Sequence, residues 1–479
     1  MLFNSLDFFK FFVIVFLVWL AAPSRFRWAV LLVASLFFYA WEKPIYLGLL
    51  MTTILVTFYS AIKMEKFKKQ MNIKMGFLYL ALFFNLGILI IFKYLGFFTD
   101  ITNQLAGLLT SNFTVISIKL MLPIGISFYT FQSIGYSLDV YYGLRKPEKH
   151  IGYFSLFVSF FPQILSGPIG RSSELFPQIH QSQNFSWDNI GYGIQRFTWG
   201  LFKKIVIADR LDVYVNSIYG NIDGYQGSVL WLGTLLFAFQ LYADFSAYTD
   251  MAIGVARFFG FKLAENFDFP FISKSVTEFW RRWHISLSNW LRDYLYTPLQ
   301  FSKKKWKQWA TVYAIFLTFF ICGLWHGAKM TFVIFGVIQA MALTYEMLMR
   351  NKRLAWSKSY PPLLYNGFSW VLTFVFTLLS FVFFRADATP EAFLLIKKLG
   401  TSFYDIHAVK NFVVEAGGIK FFFSMLLLLF FILTDKLFTL SFANQTKKTV
   451  VLNLMVSALM VLVLLFGTFG KVNFIYFQF

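Results

Sequence analysis

Two histidines of this chain lie in apolar surroundings, and each directly follows a tryptophan. His284 ends the run Phe279–His284, which reads FWRRWH, and His326 lies in the run Cys322–Gly327, which reads CGLWHG. An ionisable side chain in membrane sequence is costly, so it indicates a functional site by default. Because the imidazole pKa lies close to neutrality, histidine can take a proton and return it. The pattern therefore predicts proton-transfer chemistry at His284 and His326.

His326 is the stronger candidate for a general base. Gly323 and Gly327 flank it, and glycine allows a backbone or a ligand to approach closely. Burial keeps an imidazole neutral, and a neutral imidazole can remove the proton from an attacking hydroxyl. A structural histidine at a helix turn is the alternative, and for His284 a role in orienting a neighbour is as well supported as catalysis. The single cysteine, Cys322, could be a nucleophile, but a buried free thiol usually acts as a small hydrophobic group.

The segment 275–297 around His284 is predicted to form one amphipathic helix. Ser275 and Glu278 have the spacing of a capping box, and Thr297-Pro298 is expected to end the helix. Such a helix suits the membrane interface or the wall of a cavity.

Arginines on the polar face of this helix are suited to a donor that carries phosphates, because the guanidinium fork matches phosphate oxygens. The candidate donor-binding or substrate-binding residues are Arg281, Arg282, Trp283, Asn289, Trp325 and Asp250. Anchoring to lipid headgroups is the alternative for the arginines. Asp250 lies two helical turns before Arg257, so it could pair with that arginine or orient a histidine.

Composition indicates an all-α polytopic membrane protein. Of the 479 residues, 58% are hydrophobic and 14% are charged, whereas soluble chains are about 45–50% apolar and about 25% charged. The predicted spans are 9–21, 28–40, 44–60, 76–95, 117–138, 190–207, 228–243, 247–260, 309–323, 326–349, 366–385, 419–437 and 449–467. The net charge of +20 lies in short loops, as the positive-inside rule requires, and no nucleic-acid-binding module is visible.

Two motifs interrupt the region 151–180. Phe161-Pro162-Gln163 and Ser166–Gly170 cannot continue a regular helix, which predicts a re-entrant segment that lines a cavity. The loop charges require an even number of crossings between residues 150 and 303, where three spans are predicted, so one assignment must be wrong, and this region is the expected one. No metal-ligand spacing and no phosphate-cradling glycine loop is present, so neither a metal site nor an ATP-driven pump is expected.

These segments, taken in order, resemble the membrane-bound O-acyltransferase (MBOAT) family, and within it the bacterial branch that O-acetylates alginate. The resemblance rests on Leu122–Phe131 (LPIGISFYTF), Phe161-Pro162-Gln163 with Ser166-Gly167-Pro168, Gln240–Ser246 (QLYADFS), Glu278–Leu287 (EFWRRWHISL), Leu324–Gly327 (LWHG) and Phe383–Ala386 (FFRA).

The resemblance implies one integral-membrane domain over residues 1–479, with roughly 11–13 transmembrane helices and further re-entrant or interfacial helices around a tunnel. His326 matches the catalytic histidine of the family, and His284 matches its second histidine. The implied activity passes an acetyl group from cytoplasmic acetyl-CoA across the bacterial inner membrane for O-acetylation of an exported polysaccharide. No bound cofactor is implied, and an extracytoplasmic SGNH-type acetyltransferase is the implied protein partner.

Other functions remain open at this stage. The acceptor could be a lipid, a teichoic acid or a protein hydroxyl, which keeps the enzyme class. A glycan transporter with histidines as proton relays would favour paired membrane acids and repeated halves, and the sequence has no repeat and few membrane acids. A scaffold that only recruits a soluble acetyltransferase is the third alternative.

Overall fold

The computed structural model describes residues 1–109, 116, 120–401, 403–443, 449–470 and 474–475, and helices joined by loops make up this part of the chain. No β-strand occurs within these ranges. Seven of the described helices are long and apolar enough to cross a membrane: Tyr46–Lys66, Met71–Gly107, Gly227–Phe258, Gln308–His326, Met330–Leu348, Pro362–Arg385 and Ile419–Thr439. The predicted all-α polytopic membrane fold is therefore confirmed. The predicted span 117–138 begins at residues outside the described ranges.

One compact unit comprises residues 1–194 and 252–264. It contains α1 (Leu6–Ala21), α2 (Arg27–Ala40), α3 (Tyr46–Lys66), α4 (Met71–Leu109), α5 (Ile126–Tyr141), α6 (Ile151–Ser159), α7 (Ser172–His180) and the first half of α8 (Trp187–Phe202). Residues 160–171 between α6 and α7 are non-helical, as the two proline motifs predict. Gly125 has φ +76°, and a Cβ there would lie 2.2 Å from the carbonyl oxygen of Ile164, so only glycine fits.

A second compact unit comprises residues 195–251 and 265–479. Its helices include α9 (Asp209–Tyr219), α10 (Gly227–Phe258, which continues beyond the unit), α11 (Val276–Arg282), α12 (Ile285–Leu291), α13 (Thr297–Ser302), α14 (Gln308–His326), α15 (Met330–Leu348), α16 (Arg350–Ser359), α17 (Pro362–Arg385), α18 (Thr389–Leu399), α19 (Ile406–Glu415), α20 (Ile419–Ala443) and α21 (Thr449–Phe466). Two π-helical segments, Lys203–Ala208 and Arg292–Tyr296, extend α8 and α12.

Helix α10 corrects the predicted spans. The spans 228–243 and 247–260 form one continuous helix, because the polar residues between them are bonded within the bundle and do not end it. Lys204 Nζ donates to Asp244 at 2.7 Å, and Lys203 Nζ donates to Ser246 at 2.8 Å. The division of this region into two spans was therefore wrong. Among the seven membrane-length helices of the described residues, only Gly227–Phe258 lies between residues 150 and 303, and the predicted span 190–207 is not one of them.

Helices α14 and α15 form a hairpin whose backbones almost touch. A Cβ on Gly323 would lie 2.3 Å from the carbonyl oxygen of Phe332, and a Cβ on Gly336 would lie 2.2 Å from the carbonyl oxygen of Phe319. Only hydrogen fits at these two positions, so glycine sets the distance between the helices. His326 is the last residue of α14 and thus lies at the turn of this hairpin.

Candidate active site

The prediction of one helix over 275–297 is wrong. Helix α11 ends at Arg282, and α12 begins only at Ile285. His284 separates them in a left-handed conformation, φ 45° and ψ 53°, which is uncommon for a residue with a side chain and often marks a functional site. After α12 the chain continues through a π-helical segment and α13, so Thr297-Pro298 does not end it.

Asn266 makes this break possible. Its carbonyl oxygen accepts from the N–H of Ile285 at 2.9 Å, and its Oδ1 accepts from the N–H of Ser286 at 3.0 Å. Asn266 therefore accepts from two backbone N–H groups at the start of α12, which in a continuous helix would bond to carbonyl groups of the preceding turn. Asn266 lies outside the segment 275–297, so the spacing of apolar residues within that segment could not reveal the break at His284.

The two histidines pack against the same indole. The ring centroids of His284 and His326 lie 5.7 Å and 5.1 Å from that of Trp325. His284 is fully buried, and its ring centroid lies 4.7 Å from that of Phe245. His326 is also buried, and its ring centroid lies 5.1 Å from that of Phe384. Burial, and secondarily the neighbouring His326, hold the pKa of His284 well below its usual value. This lowered pKa favours the neutral imidazole at His284.

Helix α11 is attached to α15 at two points. The carboxylate of Glu346 accepts from the N–H groups of Val276 at 2.7 Å and Thr277 at 2.9 Å, where a negative charge stabilises the helix N-terminus. Seven residues earlier on α15, Gln339 Oε1 accepts from the indole N–H of Trp280 at 3.0 Å. Because seven residues are two helical turns, both acceptors lie on one face of α15 and fix the register of α11.

A cavity of about 1010 Å³ lies among α11, α12, α14, α15 and α16. Its volume is at the upper end of the range of about 300–1,000 Å³ that ligand pockets have. Four arginines line it, Arg281, Arg292, Arg350 and Arg353, and its buried wall includes Trp280 and Thr318. The cavity is thus positively charged where it is exposed and mostly apolar where it is buried.

The structure brings only part of the predicted binding set to this cavity. Arg281 and Asn289 line it. Arg282 instead pairs with Asp268 at 2.8 Å and Glu278 at 3.0 Å. Trp283 is buried and stacks on Phe279 with ring centroids 5.5 Å apart, and Trp325 holds the two histidines.

Sequence reasoning missed four lining side chains, Arg292, Arg350, Arg353 and Trp280, and the partner Gln339. The basic residues around position 350 were a visible signal, but they were interpreted only as a marker of topology. Trp280 was part of the quoted motif without a role.

Asp250 lies in a separate buried ion cluster. It pairs with Arg196 at 2.6 Å and with Lys203, so cations other than Arg257 neutralise it. In the same cluster Lys204 bonds Asp244 at 2.7 Å and Asp209 at 2.8 Å. Both lysines belong to the π-helical segment Lys203–Ala208, whose wider turn places them side by side against these acids.

We predict that Lys204→Met will strongly destabilise the protein. The change leaves the buried carboxylates of Asp209 and Asp244 without their cation, and breaking a buried pair in this way costs about 3–5 kcal/mol. Thermal unfolding in detergent measures the loss. Lys68→Met is the matched control, because its pair with Glu65 is exposed and contributes at most about 1 kcal/mol. Equal unfolding temperatures for the two variants would contradict the role of the cluster.

The fold and the candidate site are those of a polytopic helical membrane protein with two buried imidazoles on one indole and an arginine-lined cavity. Residues 148–386 match the family model described as MBOAT, membrane-bound O-acyltransferase family. The chain belongs to this family of acyltransferases, and the resemblance of its motifs is thereby confirmed.

Similarity to curated relatives extends beyond the residues that the family model matches. A probable alginate O-acetylase, AlgI of Pseudomonas aeruginosa, is 37% identical over 83% of this chain and 75% of its own length. A peptidoglycan O-acetyltransferase of Helicobacter pylori is 35% identical over 77% of this chain and 72% of its own. A teichoic acid D-alanyltransferase of Bacillus subtilis is 31% identical over 53% of this chain and 65% of its own.

Proposed function

We propose that this protein passes an acetyl group from cytoplasmic acetyl-CoA across the bacterial inner membrane for O-acetylation of an exported polysaccharide. The observation that carries the proposal is the pair of buried histidines on Trp325 next to the arginine-lined cavity. The names of the alginate and peptidoglycan relatives support a glycan as the acceptor and acetyl as the group. The whole chain acts as one membrane domain and needs no bound cofactor.

The donor binds with its phosphates at the exposed arginines of the cavity. Arg281 and Arg350 are exposed, and neither has a carboxylate partner among the described residues. Arg292 and Arg353, in contrast, pair with Asp293 and Glu346. Guanidinium groups without such partners are available for phosphate, to which they bond in bidentate fashion. The basic helix α16 supports a cytoplasmic position for this mouth, because Lys and Arg are enriched in cytoplasmic loops.

His326 acts as the general base. It takes the proton of the acceptor hydroxyl while the hydroxyl oxygen attacks the thioester carbonyl, and a new C–O bond replaces the C–S bond. The leaving thiolate then takes the proton from the imidazolium, which restores the neutral histidine. His284 packs against the same indole of Trp325. It thereby positions the indole and, through the indole, His326. The hydroxyl belongs to the glycan or to an extracytoplasmic SGNH-type acetyltransferase that completes the transfer.

We predict that Arg281→Gln combined with Arg350→Gln will raise the KM for acetyl-CoA by about 10- to 100-fold and change kcat much less. A hydrogen bond to a charged group contributes about 1.5–3 kcal/mol, and these bonds are the same in ground and transition states. Initial rates at varied acetyl-CoA concentration measure the effect. Lys358→Gln is the control, since Lys358 is an exposed cation of the same helix outside the cavity. A drop in kcat with unchanged KM would contradict this assignment.

Membrane vesicles that contain the protein and an SGNH-type partner test the function. Labelled acetyl-CoA is supplied on the cytoplasmic side, and label is followed on extracytoplasmic glycan. Label on the glycan that depends on this protein supports the proposal. Label on lipid, teichoic acid or protein instead would change the acceptor, a possibility that the similarity to the D-alanyltransferase raises. Glycan that crosses without acquiring label would identify a transporter and overturn the proposal.

A further inference from the structure

We infer that Trp280 sets the size of the acyl group that can reach His326. The inference rests on the proposed function, because it concerns the path from the donor cavity to that histidine. It goes further by assigning a residue that selects acetyl over longer acyl groups.

The indole of Trp280 lies between the cavity and the histidine. It forms part of the cavity wall, and its ring centroid lies 5.0 Å from that of Phe319 and 6.5 Å from that of Phe335. Phe335 in turn lies beside His326, with ring centroids 6.0 Å apart. One aromatic layer therefore separates the inner end of the cavity from the proposed base.

The donor must pass this layer for reaction to occur. Thr318 and Phe319 line the inner part of the cavity on α14, and His326 lies seven residues beyond Phe319 on the same helix. At 1.5 Å per residue this is about 10 Å, whereas a general base acts within about 2.6–3.2 Å of its proton. The acyl end enters first, so its bulk meets Trp280 before the carbonyl comes within reach of the imidazole.

The layer is held from two sides. The indole N–H of Trp280 bonds the buried Gln339, and a buried donor that loses its partner is costly, so the ring keeps its position. The backbone of Phe319 is held at the hairpin crossing, where its carbonyl oxygen lies against Gly336. A constriction with fixed walls discriminates by size, whereas mobile side chains would adapt to longer groups.

Thr318 supplies an independent sign that a polar ligand enters this far. Thr318 lines the cavity and is 3% exposed, and its buried hydroxyl has no hydrogen-bond partner among the described residues. Buried hydroxyls are normally bonded, so this one is available to an amide of the donor arm. The donor arm thus has a polar contact beside the aromatic layer that its acyl end must pass.

The test compares acyl-chain profiles. We expect the native protein to prefer acetyl-CoA over butyryl-CoA by at least about 100-fold in kcat/KM, since a closed pocket discriminates about 10- to 200-fold per methylene. Trp280→Leu should reduce this ratio at least about tenfold, mainly by admitting butyryl. Trp309→Leu is the matched control, because Trp309 is 61% exposed near the start of α14 and should leave the ratio unchanged.

A second variant guards against a folding defect. Gln339→Leu keeps a side chain of similar volume but removes the acceptor of the Trp280 indole N–H, so it should lower the ratio of kcat/KM for acetyl-CoA over butyryl-CoA as well. Thermal unfolding of this variant is measured alongside. The inference is overturned if folded Trp280→Leu and Gln339→Leu proteins both keep the native ratio, or if the native protein uses butyryl as well as acetyl. If the native protein transfers no acetyl at all, the proposed function fails, and the inference with it.

Discussion

His326→Ala is expected to lower acetyl transfer by at least about 10³-fold while the protein remains folded and in the membrane. A positioned general base contributes about 10²–10⁴-fold to a rate. The ring of His326 contacts Trp325, Phe335 and Phe384, and none of these three side chains can replace it as a base. These three contacts are between rings, so on this side of the imidazole the change leaves a small cavity. Transfer of labelled acetyl to glycan, at matched expression, measures the effect.

His407→Ala is the matched control for this experiment. His407 is exposed on α19, so the same substitution there removes an imidazole without touching the site. It should leave the rate within about twofold of native, since surface changes rarely matter. Equal transfer by the His326→Ala and native proteins would remove His326 from the chemistry and favour a scaffold that only recruits its partner.

Gly336→Ala is expected to cause the second large effect, a combined loss of stability and activity. The new Cβ would lie 2.2 Å from the carbonyl oxygen of Phe319, which is backbone and cannot rotate away. The two helices must separate, and overpacking of this kind costs about 1–3 kcal/mol or more. Because the hairpin carries His326 at its turn, separation also displaces the imidazole. A shift of about 1 Å can cost about 10²-fold in rate.

Gly367→Ala provides the comparison for Gly336→Ala. Gly367 lies within α17, and a Cβ there would meet no atom within 4 Å, so the change should raise stability by up to about 1 kcal/mol through helix propensity. Thermal unfolding in detergent and acetyl transfer should be measured for both variants. If both glycines tolerate alanine equally, the close crossing of α14 and α15 is not required for the site.

The long apolar runs and the two histidines were readable from the sequence for a simple physical reason. Charge and polarity are expensive in lipid, so apolar stretches mark helices, and an imidazole among them stands out. Proline has no backbone N–H and fits poorly in the interior of a helix, which is why the non-helical residues 160–171 were predicted correctly. Pro177 within α7 and Pro298 at the start of α13 show that this signal is not absolute. These signals act locally and need no knowledge of which segments are neighbours.

The errors arose where distant partners override local signals. Asp244 seemed to divide two spans, but Lys204 neutralises it and α10 runs through. The 275–297 segment has helical spacing, but Asn266 supplies the acceptors that allow a break at His284. In each case the deciding contact comes from a residue well outside the pattern.

By itself the sequence determined a helical membrane protein, the two histidines as the place to look for proton transfer, and the resemblance that placed it among acyltransferases. Only the tertiary structure decided that His284 and His326 share Trp325, that Arg281 lines a cavity while Arg282 does not, and that Trp280 packs on Phe319 in the wall of that cavity. The reason is that composition and spacing indicate whether each segment lies in lipid or in water. A site, in contrast, depends on which side chains of different segments lie within a few ångströms of one another.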